Sequence, residues 1–424
     1  MILKAIVFAG VTLNKLKSTL PEMKKHFQIV IVGGGNAGIS LAAQLFRKDP
    51  KLEIAILDPS DKHYYQPAWT LVAGGVFDQA DTVRSEAEVM PERASWIQEA
   101  AERFEPEKNT VITTTGNSYT YDYLVVCPGI QLNWHKIKGL EGNLGKNGIT
   151  SNYRFELAPY TYECLQNTKS GKAIFTSPNT PVKCGGAPQK IMYLASDFWR
   201  KQGRLGEIGV HFYSGGTTIF GVDKYRKTLE KVVARYGIET HFRHNLVEIK
   251  ADTKEAIFDV YEDGKVVRQV AEKFDMIHIT PPQSAPDFIK NSPLAVPDSP
   301  YGWVDVDKFT LRHNRYPNIY GLGDAAGTPN AKTGAAVRKQ VPVVVEQIMS
   351  QIRTSQPARA AYTGYGSCPL VTGYGKLVLA EFGYDNKVME TFPIDQSKER
   401  WSMYQLKRHV LPWLYWNKIL KGTA

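Results

Sequence analysis

The chain has 424 residues, too many for one ordinary hydrophobic core and suited to two packed domains with an additional segment. Hydrophobic residues make up 43% and charged residues 22%, as in soluble globular proteins, and no apolar run is long enough for a spanning helix. The 52 basic and 42 acidic residues give a formal charge of +10, which favours anionic partners. Since no nucleic-acid-binding motif accompanies that charge, we expect a membrane surface rather than nucleic acid.

We predict that residues 1–22 form an extension ahead of the first domain. They contain no arginine and no evident cleavage site, which argues against a mitochondrial presequence and a secretory signal. Met23 is an alternative start of the native chain.

A strand, a glycine-rich turn and a helix follow this extension. The apolar run from Ile29 to Val32 predicts a buried parallel strand, and Gly33, Gly35 and Gly38 follow with the spacing G-x-G-x-x-G. In this motif the first glycine makes the turn, the second admits a pyrophosphate and the third packs against the strand. The next strand ends in Asp58, where a carboxylate binds ribose. We therefore predict a dinucleotide site with its phosphates at the helix N-terminus.

A later segment narrows the choice of dinucleotide. NIYGLGDAAG, residues 318–327, predicts a strand that ends near Asp324 and leads into a helix. It resembles the second FAD motif of flavoproteins with two dinucleotide-binding domains, and YDYLVVCPG, residues 121–129, resembles the segment that closes their FAD domain. Taken alone, Asp324 is also explained as a helix N-cap. The resemblance implies FAD and an α/β fold of two interleaved Rossmann-like domains, each with three layers (β/β/α). The implied FAD domain comprises residues 23–150 and 301–357, and residues 151–300 form the second domain.

The second domain lacks the features of a nicotinamide site. Its first strand, residues 172–178, leads into NTPVKCGGAPQK, so that Pro181 and Cys184 occupy the phosphate-binding turn. Proline removes an N–H group that phosphate would need, and the next strand, GEIGVHFYSGG, has no carboxylate at its end. A thiol just before a helix and beside Lys183 and Lys190 should have a lowered pKa. We predict a reactive thiolate where a nicotinamide nucleotide would otherwise bind.

The four cysteines are scattered and predict neither a disulfide framework nor a metal site. Cys368 lies in a glycine-rich loop before the strand KLVLAEF and is the second candidate for a reactive thiol. Cys127 ends an apolar strand and Cys164 lies in a helical stretch, so we predict that both are buried hydrophobic residues. The same structural role is the alternative for Cys184 and Cys368.

Long blocks around both candidate thiols, FTSPNTPVKCGGAPQKIMYL and SCPLVTGYGKLVLAEF among them, resemble the sulfide:quinone oxidoreductases of mitochondrial type. The resemblance runs from about Gln28 to the C-terminus. It implies that hydrosulfide attacks a Cys184–Cys368 pair, that Cys368 carries the persulfide and that Cys184 faces the flavin. Two electrons then pass through FAD to ubiquinone, and the sulfane sulfur passes to glutathione, sulfite or sulfide. Such an exchange needs a thiolate attacker and a good thiolate leaving group.

The same resemblance implies the residues that hold FAD. Besides Asp58 and the three glycines of the first turn, they are Asn36, Ala37, Gln66, Ala101, Gly129, Gly323, Asp324, Lys332, Gly334, Ala335, Ala336 and Val337. Ala101 would contact FAD through its backbone.

The C-terminal region, residues 358–424, mixes aromatic and aliphatic side chains with bases such as Lys407, which suits a helix in the headgroup layer. We predict that Pro412 divides this helix into two pieces. A helix that covers the core is the alternative, but the resemblance favours a peripheral membrane protein with a quinone entrance. We also expect a homodimer. The missing presequence favours a bacterial cytoplasmic membrane over the mitochondrial inner membrane. The candidates for quinone or membrane contact are Trp413, Tyr415 and Trp416.

Three other functions stay open on the sequence. A type-II NADH:quinone dehydrogenase has the same fold but would oxidise NADH independently of the cysteines. A flavoprotein subunit of a sulfide dehydrogenase would be exported and paired with a cytochrome. A flavin-bearing redox sensor would show negligible turnover with sulfide and quinone.

Overall fold

The computed structural model describes residues 25–424, and the extension predicted for residues 1–22 lies outside that range. The elements up to residue 150 are β1 (His26–Val32), α1 (Asn36–Lys48), β2 (Ile54–Leu57), β3 (Lys62–Tyr64), α2 (Trp69–Ala73), β4 (Val83–Ser85), α3 (Glu86–Val89), β5 (Ser95–Ile97), β6 (Ala101–Glu105), β7 (Thr110–Thr113), β8 (Ser118–Val126), β9 (Gln131–Leu132) and β10 (Ile149–Thr150).

The second half of the chain continues this alternation of strands and helices. From residue 151 to 300 the elements are α4 (Ala158–Asn167), β11 (Gly171–Ser177), α5 (Ala187–Lys201), β12 (Ile208–Ser214), α6 (Asp223–Tyr236), β13 (Glu239–Phe242), β14 (His244–Lys250), β15 (Glu255–Glu262), β16 (Lys265–Lys273), β17 (Met276–His278), β18 (Gln283–Ser284) and α7 (Asp287–Lys290). After residue 300 they are β19 (Ile319–Gly321), α8 (Gly334–Thr354), β20 (Gly366–Gly373), β21 (Lys376–Phe382), α9 (Trp401–Gln405) and α10 (Leu411–Leu414).

The first sheet joins two distant parts of the chain. Its strands follow the order β5-β2-β1-β8-β7-β6, and β19 also pairs with β8. Strands β5, β2, β1, β8 and β19 are parallel. Within β1, Ile29 and Ile31 pack against α1 and α8, whereas Val30 and Val32 pack on the opposite face. Burial on both faces explains why this strand is apolar throughout.

The second sheet is wholly parallel, in the order β10-β17-β11-β12-β13. On one face Phe175 and Phe212 pack with Trp199 of α5. The other face is covered by the antiparallel sheet β14-β15-β16, where Tyr213 stacks on Phe258 with ring centroids 4.2 Å apart. The predicted α/β class with two Rossmann-like sheets is confirmed.

The domain boundaries predicted at residues 150 and 300 stay predictions. Strand β10, just before the first boundary, pairs with β17 of the second sheet. Ala285, Ile289 and Leu294, which precede the second boundary, pack in the core of the first sheet. The chain changes sheets near the pairing of β9 with β18.

The C-terminal region packs on both domains. Strand β20 brings Cys368 and Leu370 into the core beneath α5. The helical run from Trp401 to Ile419 continues through Pro412, with π-helical turns at Leu406–Val410 and Tyr415–Ile419. The predicted break at Pro412 is therefore wrong, because a wide turn ahead of the proline accommodates its ring and its missing N–H group. Within residues 25–424 no helix has the length and apolar content needed to cross a membrane.

Candidate active site

The turn after β1 is tight on one side and open on the other. Gly33 has φ +110°, and a Cβ atom there would lie 2.6 Å from the carbonyl oxygen of Cys127. A Cβ atom on Gly38 would lie 1.9 Å from the carbonyl oxygen of Gly33, so only glycine lets the helix approach the turn. A Cβ atom on Gly35 would meet no atom of residues 25–424 within 4 Å. The open side is where the backbone can approach a pyrophosphate.

Two carboxyl groups lie beside this turn. Asp58 Oδ2 accepts a hydrogen bond of 2.6 Å from the backbone N–H of Gly34. Glu86 Oε1 lies 2.8 Å from the position of a Cβ atom on Gly34. This oxygen is buried and has no hydrogen-bond partner among the described residues. A ribose hydroxyl beside it would supply the missing donor, so the cradle fits a dinucleotide.

The N-termini of α1 and α8 converge at the same place. A Cβ atom on Gly334 would lie 3.7 Å from Asn36 Nδ2, and one on Gly323 would contact both Ala37 and Val337. Thr333 Oγ1 accepts a hydrogen bond of 3.2 Å from the N–H of Ala336 and so caps α8. Two helix N-termini therefore direct positive dipole ends at one cradle, which favours an anionic cofactor.

The remaining predicted cofactor residues differ in their surroundings. Burial raises the pKa of Asp324, and the ammonium charges of Lys332 and Lys183 oppose that rise. Burial also lowers the pKa of Lys332 to about 8, and its Nζ donates to the carbonyl of Ala326 at 2.9 Å. Gln66 Oε1 accepts a hydrogen bond of 2.5 Å from Lys183 Nζ. Three residues complete the set: Gly129, with φ +84° and open space at its Cα; Ala101, buried at the start of β6; and Ala335, half-buried in the first turn of α8.

The two candidate thiols lie side by side. The Cys368 thiol is hydrogen bonded to Cys184, and both cysteines are in the reduced form. A Cβ atom on Gly186 would lie 2.5 Å from Cys368 Sγ, so the glycine admits the sulfur of β20 into the turn. Cys184 itself has φ +49°, a strained conformation for a residue with a side chain. Its backbone N–H donates to the carbonyl of Lys332 at 2.8 Å, which ties the cysteine turn to the second cofactor segment.

The pKa values of the two thiols shift in opposite directions. The hydrogen bond from Cys368 and the ammonium of Lys190 hold the pKa of Cys184 well below its usual range, although burial opposes them. Lys190 Nζ lies 2.9 Å from Cys184 Sγ. The pKa of Cys368 is well above its usual range because it donates to Cys184 and is buried. The two opposite pKa shifts favour a thiolate at Cys184 over one at Cys368. Lys183, also predicted to act on Cys184, donates a hydrogen bond from its Nζ to Gln66. Burial lowers the pKa of Lys183, and the charge of Cys184 opposes that shift.

A second buried lysine lies near the pair. Lys407 is only 4% exposed, and its Nζ donates to the carbonyl of Pro67 at 3.0 Å. Burial, followed by repulsion from Lys190, lowers its pKa to about 7, whereas the two cysteines raise it. Its predicted place in the headgroup layer is wrong, because the wide turn at 406–410 directs the side chain inward. The sequence offers no signal that separates this lysine from its exposed neighbours.

Comparison with known proteins identifies the family. Residues 27–165 match the family described as pyridine nucleotide-disulphide oxidoreductase. The mitochondrial sulfide:quinone oxidoreductase of Dictyostelium discoideum is 46% identical over 403 residues, covering 95% of this chain and 87% of that protein. The chain belongs to the sulfide:quinone oxidoreductase family. The mitochondrial sulfide:quinone oxidoreductase of Mus musculus is 43% identical, over 94% of this chain and 87% of that protein. The preference for a bacterial membrane finds no support, because both relatives are named mitochondrial.

The solved structure of the sulfide:quinone oxidoreductase from Aquifex aeolicus shares the fold. It aligns with a TM-score of 0.75 at 21% identity, over 93% of this chain and 92% of that one. As a member of the family, the chain is an FAD-dependent oxidoreductase. Its cradle of glycines, carboxyl groups and two helix N-termini fits that cofactor.

The C-terminal aromatic residues of this sulfide:quinone oxidoreductase family member divide into two sets. Trp413 is 54% exposed, whereas Tyr415 and Trp416 are 6% and 5% exposed. The Tyr415 hydroxyl is hydrogen bonded to His63 Nε2 at 2.6 Å, and His63 Nδ1 to Glu86 Oε2 at 3.1 Å. Membrane contact is therefore wrong for Tyr415 and Trp416, because both pack against the FAD-binding domain. A quinone contact stays a prediction for all three aromatic residues.

Proposed function

We propose that this protein oxidises hydrogen sulfide at the Cys184–Cys368 pair and passes two electrons through FAD to ubiquinone. The observation that carries the proposal is the pair itself: two neighbouring sulfurs in a buried site, with Lys190 Nζ 2.9 Å from Cys184 Sγ. A pair of thiols that share one proton is suited to cycle between a dithiol and a disulfide.

The sulfur chemistry begins with Cys184 and Cys368 joined as a disulfide. The sulfur of HS⁻ attacks Cys368 Sγ, and the bond between the cysteines breaks as the new S–S bond forms. Cys368 then carries the persulfide, and Cys184 leaves as the thiolate that Lys190 stabilises. A nucleophile such as glutathione, sulfite or a second sulfide takes the terminal sulfur and leaves Cys368 as a thiol.

Re-forming the disulfide from one thiol and one thiolate releases two electrons and one proton. FAD held in the cradle of Gly33, Asp58 and the N-termini of α1 and α8 would supply the two-electron acceptor and the link to the quinone. Lys407 is placed to take part in the proton's movement, because its pKa of about 7 lets it bind or release a proton near neutral pH. Lys190 remains an ammonium, since the two cysteines raise its pKa against the effect of burial.

We further propose that the C-terminal helix docks the protein peripherally on a membrane. Because the named relatives are mitochondrial, we propose the mitochondrial inner membrane. Trp401, Val410 and Trp413 are 68%, 47% and 54% exposed, which is unusual for large apolar side chains. Exposed tryptophans beside basic residues such as Lys418 suit the interface between lipid headgroups and acyl chains. Docking there would bring the enzyme to a membrane-dissolved quinone.

The test is an anaerobic assay of purified protein with sulfide and a soluble ubiquinone. Cys184→Ser and Cys368→Ser should each lower turnover by at least about a thousandfold, because neither serine forms the disulfide. Cys164→Ser is the matched control: this cysteine is also buried, but it lies on α4 with Tyr160 as its side-chain partner, and turnover should persist. Bound flavin, measured by absorbance, checks that each variant is folded.

Two outcomes would contradict the proposal. The first is sustained sulfide oxidation in either serine variant of the pair. The second is quinone reduction by NADH that is fast in the wild type and in both variants, which would identify an NADH:quinone dehydrogenase instead.

A further inference from the structure

Two histidines and a glutamate meet at the edge of the second sheet, and none of them belongs to the cysteine site. His211 on β12 is the register partner of Glu239 on β13, and His241 follows two residues later on the same face. His211 Nδ1 lies 3.2 Å from His241 Nε2 and 3.6 Å from Glu239 Oε2. The three donor atoms all lie within 4.8 Å of one another.

Two of these separations, 3.2 and 3.6 Å, are close to the edge of a coordination tetrahedron. Zinc bonds of about 2.0–2.2 Å to imidazole nitrogen and carboxylate oxygen set neighbouring donor atoms about 3.3–3.5 Å apart. Two imidazoles and one carboxylate form a ligand set that zinc accepts, with water in the fourth position. We propose that His211, Glu239 and His241 bind a divalent transition-metal ion such as Zn²⁺. The cysteine spacing in the sequence predicts no metal site. The sequence gives no signal for these three ligands, because they meet only when β12 and β13 pair.

The surroundings hold the ligands while leaving access from solvent. The His241 ring stacks on Tyr213 with centroids 4.2 Å apart, which fixes its orientation. His211 is buried and Glu239 is exposed, so an ion can enter from the carboxylate side. Lys172 is the nearby cation, but its Nζ is paired with Glu272 at 2.7 Å. Without metal, the two rings share an N–H···N hydrogen bond, which metal bonds would replace.

The test is calorimetric titration of untagged full-length protein with ZnCl₂. The protein carries Cys184→Ser and Cys368→Ser, because a thiolate pair would otherwise compete for zinc. We expect one zinc ion per chain in this background. Adding Glu239→Gln or His241→Ala should weaken zinc binding by at least about tenfold, since one of three protein ligands is lost.

His244→Ala is the matched control. Its ring meets His241 edge-on at 5.9 Å between centroids, and it does not belong to the group whose donor atoms lie within 4.8 Å of one another. This variant should bind zinc as the background does. Glu239→Gln changes an exposed side chain, so a folding defect is not expected there, and circular dichroism checks every variant.

Three outcomes would overturn the assignment: no zinc bound in the background protein, unchanged binding in both ligand variants, or equal loss in His244→Ala. Electron paramagnetic resonance with Cu²⁺ adds a second readout. Nitrogen hyperfine coupling from two imidazoles should appear in the background protein and from one in His241→Ala. Identical spectra in the two would also overturn the assignment.

Discussion

The turns after β1 and β11 occupy equivalent places in the two Rossmann-like sheets, yet they make room for different chemistry. After β1, Gly38 admits the backbone of Gly33, and Gly35 faces open space. After β11, Gly186 admits the side chains of Cys368 and Leu370, which would lie 2.5 and 2.4 Å from an added Cβ atom. The same absence of a Cβ atom leaves space for a phosphate in one turn and brings a second sulfur into the other.

The two turns also differ in charge. Carboxyl groups of Asp58 and Glu86 border the first turn, where ribose hydroxyls would donate hydrogen bonds. Ammonium groups of Lys190 and Lys407 border the second, where a thiolate must be stabilised. Similar backbones are therefore suited to a dinucleotide in one sheet and to the proposed redox-active sulfur pair in the other, because the side chains around them differ.

Among the glycine substitutions in the two turns, we expect the largest loss of activity at Gly186. A methyl group in Gly186→Ala would displace Cys368, so sulfide-dependent quinone reduction should fall about a hundredfold, because small displacements of reacting groups are costly. Gly185→Ala is the control, since a Cβ atom there would meet only Val182, at 4.0 Å. Bound flavin should be unchanged in both variants. Equal activities of the two would contradict the role given to Gly186.

The first turn is tested at Gly35, where a Cβ atom has space in the protein alone. Gly35→Ala should leave the circular dichroism of the apoprotein unchanged but weaken FAD binding by about tenfold to a hundredfold, because the methyl group would occupy the approach to the pyrophosphate. Gly206→Ala, also with nothing within 4 Å of its Cβ atom, should bind FAD normally. Titration of apoprotein with FAD measures the affinity, and wild-type affinity in Gly35→Ala would place the phosphates elsewhere.

Lys407, near the second turn, should make both stability and sulfide turnover depend on pH. Its folded pKa is about 7 and its ordinary value is 10.5, so between these values the unfolded chain binds a proton that the folded chain lacks. This group therefore makes the folded state more stable as pH rises through that window. Lys407→Met should flatten the rise of melting temperature with pH and lower sulfide turnover at pH 7 about tenfold. Lys418→Met, at an exposed position, should do neither. An unchanged pH dependence in Lys407→Met would contradict the burial of a charge there.

The smallest effect is expected on the membrane. Trp413→Ala should weaken cosedimentation with anionic liposomes about threefold to tenfold, because one exposed aromatic side chain no longer enters the interface. Phe309→Ala removes an aromatic residue of similar exposure outside the C-terminal region and should have no effect. Equal loss in both variants would argue for general hydrophobic adhesion rather than docking by the C-terminal helix.

Much of the fold could be predicted because glycine spacing and apolar strands are local features. The first turn, its helix and the α/β class follow from residues 29–58 and from the segment around Asp324. The place of Cys368 beside Cys184 could not be predicted from spacing, because strand β20 packs on α5 through long-range contacts. Only the resemblance of the sequence to a known family implied that pairing.

The C-terminal region was the hardest to predict. Its composition predicts a surface helix but does not indicate which side chains face the protein. The π-helical turns change which side chains point inward. Lys407 and Tyr415 are consequently buried, whereas Trp413 stays exposed. The two hydrogen bonds that connect Tyr415, His63 and Glu86 also join residues far apart in sequence, and no sequence pattern predicts them.

The most direct test of the central claim is to locate the sulfane sulfur after one turnover. Oxidised holoenzyme would receive one equivalent of sulfide under anaerobic conditions without an acceptor, and the peptides would be alkylated and analysed by mass spectrometry. We predict one additional sulfur on the peptide with Cys368 and none on the peptide with Cys184. An added sulfur on Cys184 alone, or on neither cysteine while flavin becomes reduced, would contradict it.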